Sequence, residues 1–179
     1  GTPQLVVKRT DAAPGIGGDA TFDAFNRGIR NQAGQIGFQA QLTGTGLDPE
    51  DDQGIWVAPA GGGDKELVVR TGEDAAGVTG DAIYDSIGMR QFNEAGGVGF
   101  AAELSGTGIT GDNDQGVWLG ATPSDTPQLL WREGDPVPGI EADTLISAVG
   151  NQEWSPSGHV TLKTSLKGPS VTNANDQAI

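Results

Sequence analysis

The chain has no cysteine, one histidine and one methionine. Without thiols it can build neither a disulfide framework, a thiolate metal site nor a cysteine nucleophile. Basic residues are scarce as well: ten Lys and Arg stand against 24 Asp and Glu, for a net charge of −14. Such a field repels phosphate backbones and anionic membrane surfaces, which argues against nucleic acid as a partner. No apolar run approaches the ~20 residues that a membrane-spanning helix needs, and no charged-then-apolar stretch opens the sequence. Nucleophile elbow, phosphate-cradling glycine loop and H-E-x-x-H stretch are all missing.

What is present is glycine and proline, 30 and ten residues, together with four tryptophans and an apolar fraction of 35%. That much glycine and proline is too much for a helical protein, and the apolar share is too large for a disordered one. The combination predicts many short strands joined by tight turns.

The chain also repeats itself every 62 residues without a gap. "LVVKR" from Leu5 returns as "LVVRT" from Leu67 and "LLWRE" from Leu129; "NQAGQIGF" from Asn31 returns as "NEAGGVGF" from Asn93 and, more weakly, "SPSGHVTL" from Ser155. "LTGTG" from Leu42 recurs as "LSGTG" and "LKGPS", and an Asp-Gln pair closes each unit at Asp52, Asp114 and Asp176. Counted from the first residue, the units are 1–62, 63–124 and 125–179, the third stopping before its last strand.

In each unit one strand follows the N-x-A-G turn, because Ile36, Phe38, Ala40 and Leu42 alternate with polar or small residues and so share one face of a pleat. Val98, Phe100, Ala102 and Leu104 repeat the pattern, as do Val160, Leu162, Thr164 and Leu166. The turn itself needs a positive-φ glycine, at Gly34, Gly96 and Gly158, and is preceded by a strand over Thr21–Arg30. "QGIWVA" from Gln53 and "ELVVR" from Glu66 complete four antiparallel strands, with a matching first strand over Gln4–Lys8. Equivalent burial is expected for Phe38 and Phe100. The fold class is all-β, its units read as blades of a β-propeller; a β-solenoid or stacked β-sandwich array would use the same alternation.

N-x-x-G-x-x-x-F at Asn31 and Asn93, L-T-G-T-G at Leu42, N-D-Q-G-V-W at Asn113 and R-E-G-D-P-V-P-G at Arg132 resemble the bacterial tandem-repeat family named for its N-x-x-G-x-x-x-F repeats. The resemblance covers essentially the whole chain and implies an exported surface protein with propeller-like repeats, many members carrying C-terminal sorting signals. It brings no enzymatic activity with it.

Three recurring features are candidate sites. Carboxylates cluster on the loop before each D-Q-G phrase, at Asp48, Asp51 and Asp52 and again at Asp112 and Asp114; calcium takes six to eight oxygen ligands and would suit such a loop. The competing reading is a turn in which Asp52 and Asp114 accept backbone N–H bonds. Trp56 and Trp118, at matching positions, could stack on a glycan or pack between repeats. Lys8, Arg70 and Arg132 end a strand and are expected to pair with Asp11, Glu73 and Asp135. His159 has Gln35 and Gly97 at its matching positions and makes a poor catalytic base.

The expected function is that of an exported structural or cell-surface protein, extracellular in a bacterium, which self-associates through its terminal strand edges into an extended, fibre-like assembly and is not an enzyme. Three blades cannot close a propeller, so the open ends are expected to meet another copy or a continuation of the chain. The alternative is a ligand-binding propeller that recognises glycans or calcium-bridged partners.

Overall fold

Alternation and turn chemistry translate directly into strands. The computed structural model describes residues 4–120, 125–141 and 143–179; the counting boundaries at residues 1 and 124 lie outside them. Among the described residues there is no helix, and eleven strands form three antiparallel meanders. The first sheet holds β1 (Thr21–Arg30), β2 (Ile36–Thr43), β3 (Gln53–Ala58) and β4 (Glu66–Arg70) in chain order. The second holds β5 (Ile83–Phe92), β6 (Val98–Ser105), β7 (Gln115–Gly120) and β8 (Gln128–Arg132). The third holds β9 (Leu145–Trp154), β10 (Val160–Lys167) and the short β11 (Gln177–Ala178). No sheet closes into a barrel.

Each sheet therefore begins some twenty residues into a unit counted from the first residue, and the fourth strand of the first two comes from the start of the next count. Residues Gln4–Lys8 correct the sequence reading: they form no strand. Their counterparts β4 and β8 are strands because each is laddered to the strand before it, and among the described residues nothing stands in that place beside residues 4–8.

Ladder register recurs from sheet to sheet. Phe38 lies opposite Trp56, and Phe100 lies opposite Trp118. Every sheet thus has a front face, carrying Phe22, Phe38 and Trp56 in the first and Tyr84, Phe100 and Trp118 in the second, and a back face one residue out of phase. Sheets stack back to front. The back of the first sheet, with Ile55, Val57 and Val69, forms one apolar core with Tyr84, Ile87, Met89, Phe100 and Trp118 on the front of the second. The front of the first sheet is covered by the chain's own leading segment through Val6, Val7, Ala13 and Ile16.

Two glycines set how closely the sheets approach. A side chain at Gly37 would stand 2.8 Å from the Met89 methyl and 2.9 Å from the Phe92 ring, and one at Gly99 would stand 2.4 Å from the Trp154 ring. Bulky residues on each front face thus sit in a gap left by a glycine on the back face before it.

Candidate functional site

The residues that recur in the sequence are found at the joints between sheets. In the hairpin between β1 and β2 the Asn31 side-chain oxygen accepts the Gln35 N–H at 3.0 Å, and between β5 and β6 Asn93 accepts the N–H of Gly97 at 2.7 Å. Gly34, Gly96 and Gly158 close these turns at φ 88°, 88° and 89°, a region open to glycine at little cost. The turns also bind one another. Asn31 Nδ2 donates to the Asn93 carbonyl at 3.2 Å, Gln32 N–H to the Glu94 carboxylate at 2.7 Å, and Glu94 N–H to the Pro156 carbonyl at 3.1 Å. The third turn has Ser155 where the others have Asn, and its hydroxyl takes over the task, accepting the His159 N–H at 3.0 Å. His159 contributes its backbone to this turn and is exposed.

A side chain also clips the first two sheets together. Gln39, buried on the back of the first sheet, donates through Nε2 to the Ile87 carbonyl at 2.8 Å and accepts the Met89 N–H at 3.0 Å. Both groups belong to β5, the edge strand of the second sheet, so one primary amide does there what a neighbouring strand would do.

The loop before each D-Q-G phrase is a turn that caps itself. Asp51, Asn113 and Asn175 each accept, through the side-chain oxygen, the N–H three residues back, from Asp48 at 2.9 Å, Thr110 at 2.8 Å and Thr172 at 2.6 Å. Asp48 answers by accepting the Glu50 N–H at 3.0 Å. Asp52 and Asp114 do something else than the sequence suggested. Their backbone carbonyls accept the N–H groups of Leu42 and Leu104, both at 2.7 Å, and the Asp52 carboxylate takes the Gln41 amide at 2.9 Å. The Asp112 carboxylate is held below the usual range by a hydrogen bond and ion pair with Lys167 at 2.8 Å. The carboxylates of Asp48, Asp51, Asp52 and Asp112 are occupied by the protein's own donors, that of Asp114 lies beside Glu133, and among the described residues no three His, Asp or Glu side chains gather into a cation cluster.

Trp56 and Trp118 are fully buried. Each indole stacks on the phenylalanine opposite, 6.0 Å from Phe38 and 5.7 Å from Phe100, and meets Phe22 or Tyr84 edge-on. Each ring N–H donates to a carbonyl of the segment leading into its sheet, Pro14 at 2.9 Å and Ala76 at 2.8 Å. The Tyr84 hydroxyl, pushed up to about 12 by burial, accepts the Ala76 N–H and pins the same segment.

The pattern of a family of unknown function (DUF7453) matches residues 1–179, the whole chain. The chain belongs to that family. No curated protein and no solved structure matches it.

In this DUF7453 chain the three basic positions diverge in their partners. Lys8 pairs with Asp11 at 3.0 Å, and this lowers the Asp11 carboxyl. Arg70 does not use Glu73 as its ion pair: its guanidinium reaches across to the Asp51 carboxylate at 2.5 Å and the Asp51 carbonyl at 2.7 Å. Only the Arg70 N–H goes to Glu73, whose carboxyl is pushed up by burial. Arg132 repeats the reach, donating to the Asn113 carbonyl at 2.8 Å, and burial likewise raises Asp135.

One acid escaped the sequence reading because it appears in a single unit. Glu133 stands where the first sheet is met by Thr71, a hydroxyl that bonds Gln53, and Glu103 stands where Gln41 donates to Asp52. Two neutral neighbours of Asp52 are therefore acids around Asp114. Glu133 is 5% exposed, its Oε2 has no partner, and its carboxyl is raised first by burial and then by the adjoining Asp114 charge. A raised carboxyl stabilises nothing when ionised: the penalty is absent below its unfolded value and grows as pH rises from there to the folded value. Glu133→Thr is expected to raise stability at pH 7 by about 1 kcal/mol, with the gain vanishing near pH 4. Urea melts of both proteins across that range check this; a gain that is independent of pH would contradict it.

Proposed function

We propose that this chain is a structural repeat module of an exported or cell-surface bacterial protein. Its sheets are the blades of a propeller-like array, and it self-associates through strand edges without catalysing a reaction. One observation carries the reading: the side chains that recur from unit to unit, Asn31 and Asn93, Gly37 and Gly99, Trp56 and Trp118, lie in joints between sheets or inside them. Repetition at these positions maintains the joints and the sheet interiors.

Association through edges is favoured over stacking of outer faces. The front of the first sheet carries an exposed Arg30 where Phe92 and Trp154 fill the glycine gaps, and the back of the third carries exposed Thr161 and Lys163 where Gly37 and Gln39 receive them. Laid on one another, these faces would set a cation beside a cation and a methyl where a gap is required. An edge strand instead offers unpaired N–H and C=O groups to any matching edge. Light scattering over a concentration series, with electron microscopy of the same samples, tests the proposal: the expected result is growth in mass and extended particles. A chain that stays monomeric throughout overturns it.

A ligand-binding reading is favoured by one feature, a polar cleft between the second and third sheets. It does not involve glycan stacking on Trp56 or Trp118, since both rings are buried.

A further inference from the structure

The joint between the second and third sheets lacks the clip found in the joint before it. Ala101 stands where Gln39 stands, so no amide at that place reaches the edge strand of the third sheet, and the Gln91 amide reaches only the Ser155 carbonyl just past its end, at 3.4 Å. In its place is a cleft of about 280 Å³. It is lined by Ala101 and by Val149, the counterpart of Ile87, whose carbonyl Gln39 binds in the first joint. Gln115 lines it too, the counterpart of the Gln53 amide that touches Gln39 at 3.5 Å. The remaining polar lining includes Arg90 and Glu103, of opposite charge.

We infer that this cleft is a binding site for a small amino-acid carboxamide of the glutamine or asparagine type. The first joint shows what the place accepts: a primary amide that donates to one backbone carbonyl and accepts one backbone N–H of an edge strand. The lining adds a guanidinium for a carboxylate and a carboxylate for an ammonium group. The space is many times the roughly 10–15 Å³ that a cavity needs to hold one water, room for a free amino acid. No aromatic ring lines the cleft, which disfavours a stacked or apolar ligand. The site exists because one unit departs from the repeat, and it is independent of how the chain self-associates.

The test uses the whole chain and L-glutamine as the probe, with L-glutamate as a control of nearly the same shape that lacks the amide. Titration followed by amide chemical shifts is expected to show saturable movement in β5 and β9 with glutamine, with Kd on the order of 1 mM, and at least about tenfold weaker binding with glutamate, a difference of roughly 1.4 kcal/mol. Ala101→Gln is expected to close the site with its own amide and abolish the titration while raising the thermal midpoint. Gln39→Ala is expected to open a matching cleft in the first joint and add a second set of glutamine-dependent shifts in β2 and β5. Equal response to glutamine and glutamate, no response to glutamine, or a titration unchanged by Ala101→Gln would each overturn the assignment. Should Ala101→Gln fail to fold, the absence of new shifts in Gln39→Ala would do the same.

Discussion

Truncating Trp118 to alanine is expected to lower the unfolding free energy by about 3–5 kcal/mol, the cost of removing a large aromatic from a close-packed core. The indole is fully buried, stacked on Phe100 and set edge-on against Tyr84, and so shares the core between the first two sheets. Its loss also strips the half-buried Ala76 carbonyl of its donor, which contributes about 1 kcal/mol of that total. Trp118→Phe should cost less, since it keeps most of the apolar contact and loses the hydrogen bond. Equilibrium denaturation by urea measures both; a loss below about 1 kcal/mol for Trp118→Ala would place the ring outside the core.

The second large effect is expected at Gly99. An added methyl there would stand 2.4 Å from the Trp154 ring, so Gly99→Ala forces the third sheet away from the second, at about 1–3 kcal/mol. Gly37→Ala makes the milder clash, 2.8 Å from the end of the flexible Met89 side chain and 2.9 Å from the Phe92 ring against 2.4 Å at Gly99, and should be better tolerated. Because each sheet touches only its neighbours in a stack, the damage at Gly99 should be local. Hydrogen exchange is expected to show β9 and β10 losing protection while β1 to β4 keep theirs. Uniform loss across all three sheets, or a larger effect for Gly37→Ala, would contradict this account of the joints.

Much of the fold could be read from letters because strand and turn chemistry are local. The alternation of Ile36, Phe38, Ala40 and Leu42 names a strand by itself, and Asn31 with Gly34 names the turn before it; both recur one unit on, with the same register at the two ends of the hairpin and one bulge shifted between them. Residues Gln4–Lys8 misled because their sequence fits a strand whose ladder partner is not beside them, and a strand is a property of the pair. The D-Q-G loops misled for a different reason. Asp52, Asp114 and Asp176 never vary, so they drew the turn assignment, yet the side chain that makes the turn belongs to Asp51, Asn113 and Asn175. An Asx turn needs one side-chain oxygen, and Asp and Asn supply it equally. The physics was indifferent to a substitution that a search for identical letters treats as a difference. Glu133 and Ala101 were hidden for the opposite reason: each breaks the repeat, and what they do is visible only against Thr71 and Gln39 in the folded neighbour.

The Gln39 clip has a consequence for the protein while it is being made. The first sheet is complete at Arg70, but the groups that Gln39 binds lie on β5, and the apolar half of its back face waits for the rest of the second sheet. At translation speeds of about 5–20 residues per second, each further 62-residue unit takes roughly 3–12 s to emerge. For that interval a sheet face bearing Ile55 and Val57 lacks the second-sheet residues that cover it in the finished fold. A primary amide in the middle of the face, needing water until β5 arrives, makes premature pairing with another nascent face costly, because burying it without partners is unfavourable. The amide that fastens β5 in the finished protein therefore also makes the bare face costly to bury wrongly, a property that Ala101 does not give the second sheet at that place.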